Sequence, residues 1–509
     1  MGDSRVDVLI VGAGVSGVGA ACHLMRESPD RSFLILERRQ EIGGTWDLFR
    51  YPGIRSDSDM YTFGFDFRPW HDTKVLADGT SIREYVRATA AEHGVTSRIR
   101  FGQRVTGASW SSERAEWTVT AVDEATGAVT EFAAGFLIAA TGYYDYDGGY
   151  RPAFPGEERF SGPIVHPQHW PADLDYAGKK VVVIGSGATA VTLVPAMAPD
   201  AEHVTMLQRS PTYVVALPAR DAISALLQRF LSTEMVYKLG RARNIAAQRL
   251  LWRLSKRYPN GMRRLMLKGA AKHLQGAADV RHFTPRYDPW DQRLCVVPDG
   301  DLFQSIRDGR VSVVTDEVET FTETGIRLRS GTELEADVIV SATGLSLQML
   351  GGASLEVDGR PVEVNKLLTY KAVMLEGLPN AAMIFGYVNA SWTLKADLAA
   401  RYVCRLLNYM RARGYATVVA AATAADRGTE SLLNALSSGY VRRADDRLPR
   451  QGTNGPWLVR NDYAHDARVL RRGEIDDGIL RFGTAPPPVP EAVPDEPVQK
   501  PVQEREMTG

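Results

Sequence analysis

Residues 6–17 read VDVLIVGAGVSG, and residues 181–190 read VVVIGSGATA. Each is an apolar, β-branched run that ends in a small-residue turn and passes into a helical pattern, over 15–25 in the first case and up to 197 in the second. In turns of this kind the first glycine (Gly12, Gly185) permits a tight bend. The second (Gly14, Gly187) lets the backbone approach a pyrophosphate, and the third position (Gly17, Ala190) lets helix and strand pack closely. The helix N-terminus then faces the negative charge.

Working outward, a second strand follows each turn, and the two strands end differently. The first, at 33–36, leads into Glu37, 20 residues beyond Gly17. A carboxylate there accepts hydrogen bonds from ribose hydroxyls. The second, at 204–208, ends in Gln208-Arg209-Ser210. A carboxylate in that place would repel a 2′-phosphate, whereas a guanidinium holds one in a fork. The first turn therefore predicts FAD. The second, with Ser186, Ala188 and Thr189 completing it, predicts NADPH. Two dinucleotides in one chain imply hydride transfer from nicotinamide to flavin.

The phrases FLIAATG at 136–142 and VIVSATG at 338–344 close the two halves, each after a short β-meander. Strands alternating with helices predict an α/β fold with parallel, doubly wound sheets. The repeat predicts two Rossmann-like dinucleotide-binding domains, the NADPH domain inserted in the FAD domain. The expected division is 1–147 for the first part of the FAD domain and 148–340 for the NADPH domain. Residues 341–484 return to the FAD domain and the C-terminal region. Within the NADPH domain a helical insert is expected at about 222–280. Its segment 238–278 holds eleven Lys/Arg and no Asp/Glu, interleaved with leucines. This reads as one or two amphipathic helices, either a solvated basic face over a packed one or a contact with an anionic membrane surface. The proline-rich stretch 485–509 cannot bury a core and is expected to be disordered.

Composition narrows the class further. With 509 residues, 44% hydrophobic and 24% charged, the chain has room for two or three cores. A net charge of -1 offers nothing to nucleic acid. Val6 opens a strand directly after a short polar start, so no signal peptide is expected, and no apolar stretch reaches membrane-spanning length. Cys22, Cys295 and Cys404 form neither a zinc pattern nor a CxxC pair. No metal site is expected, and a reducing cytoplasm suits the chain best.

Two longer patterns carry a resemblance. One is Phe160-x-Gly162-xxx-His166-xxx-Trp170-Pro171; the other is Gly44-x-Trp46-xxxx-Tyr51-Pro52-Gly53-xxx-Asp57. In these residues the chain resembles the type I Baeyer–Villiger flavin monooxygenases. The phrases GGTWDLFRYPGIRSDSDMYTFGFDFRPW, DPWDQRLCVVPDGDLF and NASWTLKADL bring it near the ethionamide-activating branch. The resemblance runs to about Thr484. It implies an enzyme that uses FAD, NADPH and dioxygen to convert ketones to esters or lactones, with oxygenation of sulfides or thioamides beside it. It also implies that Arg293 stabilises negative charge on the activated oxygen and that Asp57 positions this arginine. Ser16, Thr45, Trp46 and Val105 would contact FAD, and Arg55 and Gln208 would lie near NADP. Where many members carry Lys-Arg-Pro, this chain has Gln292-Arg293-Leu294, so Arg209 would hold more of the NADP phosphate. His166 and Trp170 would sit on the linker between domains. Substrate-lining residues would come from loops around Phe65, 285–290 and 389–392.

Other readings stay open on sequence alone. An N- or S-oxygenating flavin monooxygenase shares most of these motifs but usually carries another aromatic in place of Trp170. A disulfide reductase has two such domains but needs a redox cysteine pair. A non-catalytic flavoprotein sensor would keep the folds without the chemistry. The substrate and the oligomeric state are not legible in the sequence.

Overall fold

Parallel strands covered on both faces read as unbroken apolar runs, and the two runs that open the turns become central strands of two separate sheets. The computed structural model describes residues 5–484; the proline-rich stretch 485–509 lies outside them. The chain begins with β1 (Arg5–Val11), α1 (Val15–Glu27) and β2 (Phe33–Leu36), then α2 (Gly79–Glu92) and β3 (Ile99–Arg100). β4 (Gln103–Ser111), β5 (Glu116–Asp123) and β6 (Val129–Ala139) form the antiparallel meander, and β6 returns parallel to β1.

The second sheet comes from the middle of the chain. β7 (Ile164–Val165), β8 (Lys180–Ile184), α3 (Ala188–Met197) and β9 (His203–Gln208) are followed by three helices: α4 (Ala222–Leu227), α5 (Thr233–Arg257) and α6 (Pro259–Leu274). β10 (Val311–Thr315) and β11 (Val338–Ser341) complete the sheet, all parallel, in the order β10-β9-β8-β11-β7. A three-stranded antiparallel meander over 318–335 precedes β11.

The chain then returns to the first sheet. β12 (Ser354–Val357) and β13 (Arg360–Pro361) extend its edge, and β14 (Ala381–Met383) pairs with β6. The path is β13-β12-β4-β5-β6-β1-β2-β3, nine strands with β14. Helix α7 (Trp392–Arg413) packs on α1. Both are buried along most of their length, and the small residues Gly17, Gly19, Ala20 and Ala21 let α1 sit between sheet and helix. The fold is thus α/β with two Rossmann-like sheets, strands of the first arriving from both sides of the second.

One charged knot ties distant segments into this core. His23, 1% exposed, places Nδ1 3.1 Å from Glu27 and Nε2 3.5 Å from Asp397. Arg241 of α5 reaches the other oxygen of Asp397 at 3.2 Å, and Arg401 and Arg471 reach Asp66 at 3.2 and 3.3 Å. His23, Asp66 and Asp397 are the one His/carboxylate trio among the described residues with metal-like spacing. Three guanidiniums already pair its carboxylates, which is how buried charges are ordinarily satisfied.

Candidate functional site

The three positions of each small-residue turn are held for different reasons. Gly12 and Gly185 have φ of +102° and +143°, and an added Cβ would meet Ala140 O at 2.8 Å and Ala342 O at 2.3 Å. A Cβ at Gly17 would lie 1.8 Å from Gly12 O, so helix–strand packing requires that glycine. Ala190, at the matching place in the second turn, is fully buried. The middle glycines differ. Gly14 and Gly187 cap α1 and α3 with ordinary φ of -75° and -78°. A Cβ at Gly14 would make an ordinary 3.5 Å contact, and one at Gly187 would meet nothing within 4 Å. Nothing in the protein demands glycine there, so close approach of a ligand is the remaining reason. Neither helix has a side-chain cap, leaving first-turn N–H groups free to bind an anion.

Both turns open into one cavity of about 810 Å³. Of the residues expected to bind the first dinucleotide, Gly12, Gly14, Ser16, Glu37, Thr45, Trp46, Asp57 and Val105 line it. Of those expected for the second, Arg55, Gly185, Ser186, Gly187, Ala188, Thr189 and Arg209 do. Gly17 and Ala190 lie behind the wall, as their packing role requires. Glu37 is 4% exposed and accepts hydrogen bonds from Ala13 N at 2.6 Å and Arg39 N at 2.8 Å. Burial pushes its pKa up, against those two amides. A carboxylate has about four acceptor positions, so two remain for ribose hydroxyls. Ser16 accepts from Trp392 Nε1 at 2.8 Å, which fixes α7 against the first turn. Arg55 forks onto Asp301.

Gln208 does not reach the cavity. It is 2% exposed, and its amide donates to His282 O at 2.7 Å and Thr315 Oγ1 at 2.9 Å. A polar side chain at the end of a buried strand is satisfied by its nearest acceptors, here a carbonyl of the segment 280–283 and the hydroxyl of the neighbouring strand's Thr315.

Arg293 enters the cavity from the segment before the strand 295–298, which pairs in parallel with 214–217. Its Nη2 donates to Tyr143 Oη at 3.3 Å, and Tyr440 stands beside the same guanidinium. The arginine's Nε is buried without a protein partner. Tyr143, ahead of Tyr440, Tyr144 and Asp57, pushes the arginine's pKa up against the effect of burial. Burial in turn pushes Tyr144 and Tyr440 up to about 12, so both phenols stay neutral, and Tyr440 accepts from the arginine. Asp57 makes no ion pair with Arg293. It is exposed on the loop after Gly53, with Ser58 Oγ donating to it at 3.4 Å. Both groups line the cavity, but the tyrosines, not Asp57, hold the arginine.

The 160–171 pattern stays outside the cavity wall. Phe160 packs edge-on to Phe321, and a Cβ on Gly162 would strike Asp337 O at 2.3 Å. His166 accepts from Gln168 N through Nδ1 at 3.2 Å, so its Nε2–H donates to Gly344 O, also at 3.2 Å. Burial lowers its pKa, keeping it neutral. Trp170 packs against Tyr176. These residues fasten the segment through β7 to the edge of the second sheet. Of the expected substrate loops, the 389–392 region lines the cavity through Ala390 and Trp392, and the segment around Phe65 reaches it through Phe63. Phe65 is 1% exposed and stacks on Phe67 and Tyr85, and 285–290 are not on the wall.

One wall residue has no signal in the sequence. Arg443 places its guanidinium 3.5 Å over the Tyr150 ring and faces the cavity with Arg209. Burial and then the charge of Arg209 lower its pKa. Neither arginine has a carboxylate within 4 Å among the described residues; the nearby Glu317 is paired with Arg329 at 2.8 Å.

Comparison with known proteins agrees with this architecture. MymA of Mycobacterium tuberculosis, named as an FAD-containing monooxygenase, is 56% identical over 488 residues, 95% of this chain and 98% of its own length. The FAD-containing monooxygenase EthA of the same organism is 53% identical over 487 residues, 95% of this chain and 99% of its own. The structure of an oxidized steroid monooxygenase bound to NADP superposes with a TM-score of 0.72 at 24% identity, covering 94% of this chain and 100% of that one, and supports the fold. The model of flavin-binding monooxygenase-like proteins matches residues 5–423. The chain belongs to the flavin-binding monooxygenase-like family.

Proposed function

We propose that the chain is an FAD- and NADPH-dependent monooxygenase of the Baeyer–Villiger type, converting ketones to esters or lactones and oxygenating sulfides or thioamides at the same site. The carrying observation is the single cavity that joins both small-residue turns and Arg293. FAD, named in the relatives, fits the turn at Gly14, where the uncapped first turn of α1 and Glu37 offer pyrophosphate and ribose partners. NADPH fits the turn at Gly187, where Arg209 and Arg443 supply two unpaired cations for phosphate. The flavin, reduced from NADPH, supplies the activation of dioxygen. The protein's own contribution is a fixed cation, Arg293, held by neutral phenols within the cavity. Such a preoriented donor stabilises charge that develops on oxygen without reorganisation. Trp392 and Tyr143, stacked 5.1 Å apart, limit water there. Residues 160–171 link the two domains, His166 bonding to Gly344 O and Gln168 donating to Asp145 O. The three buried free cysteines suit a reducing cytoplasm. We also place a peripheral membrane contact at the helical insert.

The test is product analysis with a panel of ketones and sulfides under labelled dioxygen, run beside Arg293→Ala. The wild type is expected to place one labelled oxygen in an ester or lactone. The variant should keep FAD and its reduction by NADPH, lose product about 10²- to 10³-fold, and return the oxygen as hydrogen peroxide. Sulfoxide without any ester from the wild type would limit the enzyme to S-oxygenation. Normal yield from Arg293→Ala would move the cation elsewhere.

A further inference from the structure

Twelve large apolar side chains are exposed among the described residues, and eleven of them lie between 217 and 265. Single exposed apolar residues are ordinary, but a contiguous set marks a contact surface. Helix α4 and the turn after it present Ile223, Leu226 and Phe230, the last 79% exposed. Helix α5 carries Met235, Leu239, Leu250 and Leu254, all exposed. At 3.6 residues per turn these four fall on one stripe. The opposite side of α5 is anchored: Tyr237 donates to Phe65 O at 2.7 Å, and Arg241 is held in the charged knot. The stripe therefore faces outward on a fixed helix.

The unpaired charges around this stripe have one sign, since the exposed Glu234 beside Met235 is paired with Lys238 at 2.7 Å. Several of the eleven Lys/Arg in 238–278 are spent on carboxylates outside the segment: Arg243 on Asp221, Arg249 and Arg253 on Asp462, and Lys256 on Asp291. Arg257, Arg264, Lys268 and Lys272 are exposed and have no carboxylate within 4 Å among the described residues. We propose that the outer face of α4–α6 docks on an anionic lipid bilayer. The leucines and Phe230 enter the headgroup–acyl boundary, and the four unpaired cations meet lipid phosphates. No described helix is long and apolar enough to cross a membrane, so the face lies on the bilayer. A second copy of the chain is a poorer occupant. A two-fold contact through this patch would set the same cations against each other, with no acid in 238–278 to neutralise them. This inference rests on the peripheral contact proposed above and is independent of the oxygenation chemistry.

The experiment is flotation of the full-length holoenzyme with vesicles of phosphatidylcholine alone and with vesicles enriched in phosphatidylglycerol. Binding to the anionic vesicles is expected to be about tenfold or more stronger and to weaken as salt rises. Two double variants separate the contributions, Phe230→Ser with Leu239→Ser, and Lys268→Glu with Lys272→Glu. All four residues are exposed, so thermal midpoint and vesicle-free NADPH oxidation should stay at wild-type values. Each pair should weaken anionic-vesicle binding by about tenfold or more. Vesicle-free NADPH oxidation reads the enzymatic proposal separately. Wild-type protein that does not float with anionic vesicles would overturn the inference, as would variants that bind like wild type. If the Phe230/Leu239 pair instead dissolves an oligomer seen by size exclusion without lipid, the face is a self-interface and the lipid assignment is wrong.

Discussion

At the residue scale, Arg209 and Arg443 face one cavity without carboxylate partners, and two like charges left so are stabilised by a bound anion. Arg209→Ala should lower the preference for NADPH over NADH by about tenfold or more, on the order of 1.4 kcal/mol. Arg443→Ala should lower it severalfold in steady-state kinetics with the two cofactors. Equal rises in KM for both would put Arg443 on the shared pyrophosphate instead. Only one of this pair was legible in the sequence. Arg209 follows a recognisable strand by one residue, so its place is local. Arg443 reaches the cavity through a fold-back of more than 200 residues, and only tertiary structure shows it over Tyr150. Arg293 shows the same division. Its identity came from resemblance, but its partners Tyr143 and Tyr440 lie about 150 residues away on either side. The expected partner Asp57 belongs to an exposed loop, and no local pattern distinguishes a bond to it from mere proximity.

At the element scale, strand–turn–helix units were readable because their determinants are contiguous. The ends of β1, β2, α3 and β9 fall within about two residues of those expected, since apolar runs and glycines mark them directly. Gln208, which the resemblance places near NADP, spends its buried amide on His282 O and Thr315 Oγ1, a placement that only the fold shows. The two units make a paired prediction. Gly14 and Gly187 have ordinary φ and room for a Cβ, so valine at either should fold. Gly14→Val should nonetheless purify colourless, because its side chain occupies the approach of the pyrophosphate. Gly187→Val should stay yellow and fail in reduction by NADPH. Absorption spectra and anaerobic reduction check both; flavin lost from the second variant and kept in the first would exchange the two assignments.

At the scale of the whole molecule, the charged knot around His23 joins α1, the segment at Asp66, α5, α7 and Arg471. Burial opposes protonation of His23, but Asp397 and Glu27 outweigh it and raise its pKa from 6.5 to about 9. A raised folded-state pKa gives stability that is complete below pH 6.5 and is lost as pH rises through about 9. Urea unfolding should therefore show stability falling between those values by roughly 2 to 3 kcal/mol. In His23→Gln that slope should vanish, and a wild type equally stable at both ends would show that His23 is neutral in the fold. The inserted topology was legible as a repeat, whereas this long-range knot was not, because its members are ordinary surface-type residues until the fold buries them. The return of the chain to its first sheet also has a consequence in time. Helix α1 is finished at residue 27, yet its covering helix α7 begins at 392 and β14, which pairs with β6, at 381. At ribosomal speeds of about 5 to 20 residues per second, that interval lasts on the order of tens of seconds. For that long the nascent chain carries half a core with one face bare, and its yield in the cell will depend on chaperone supply during translation more than on the stability of the finished fold.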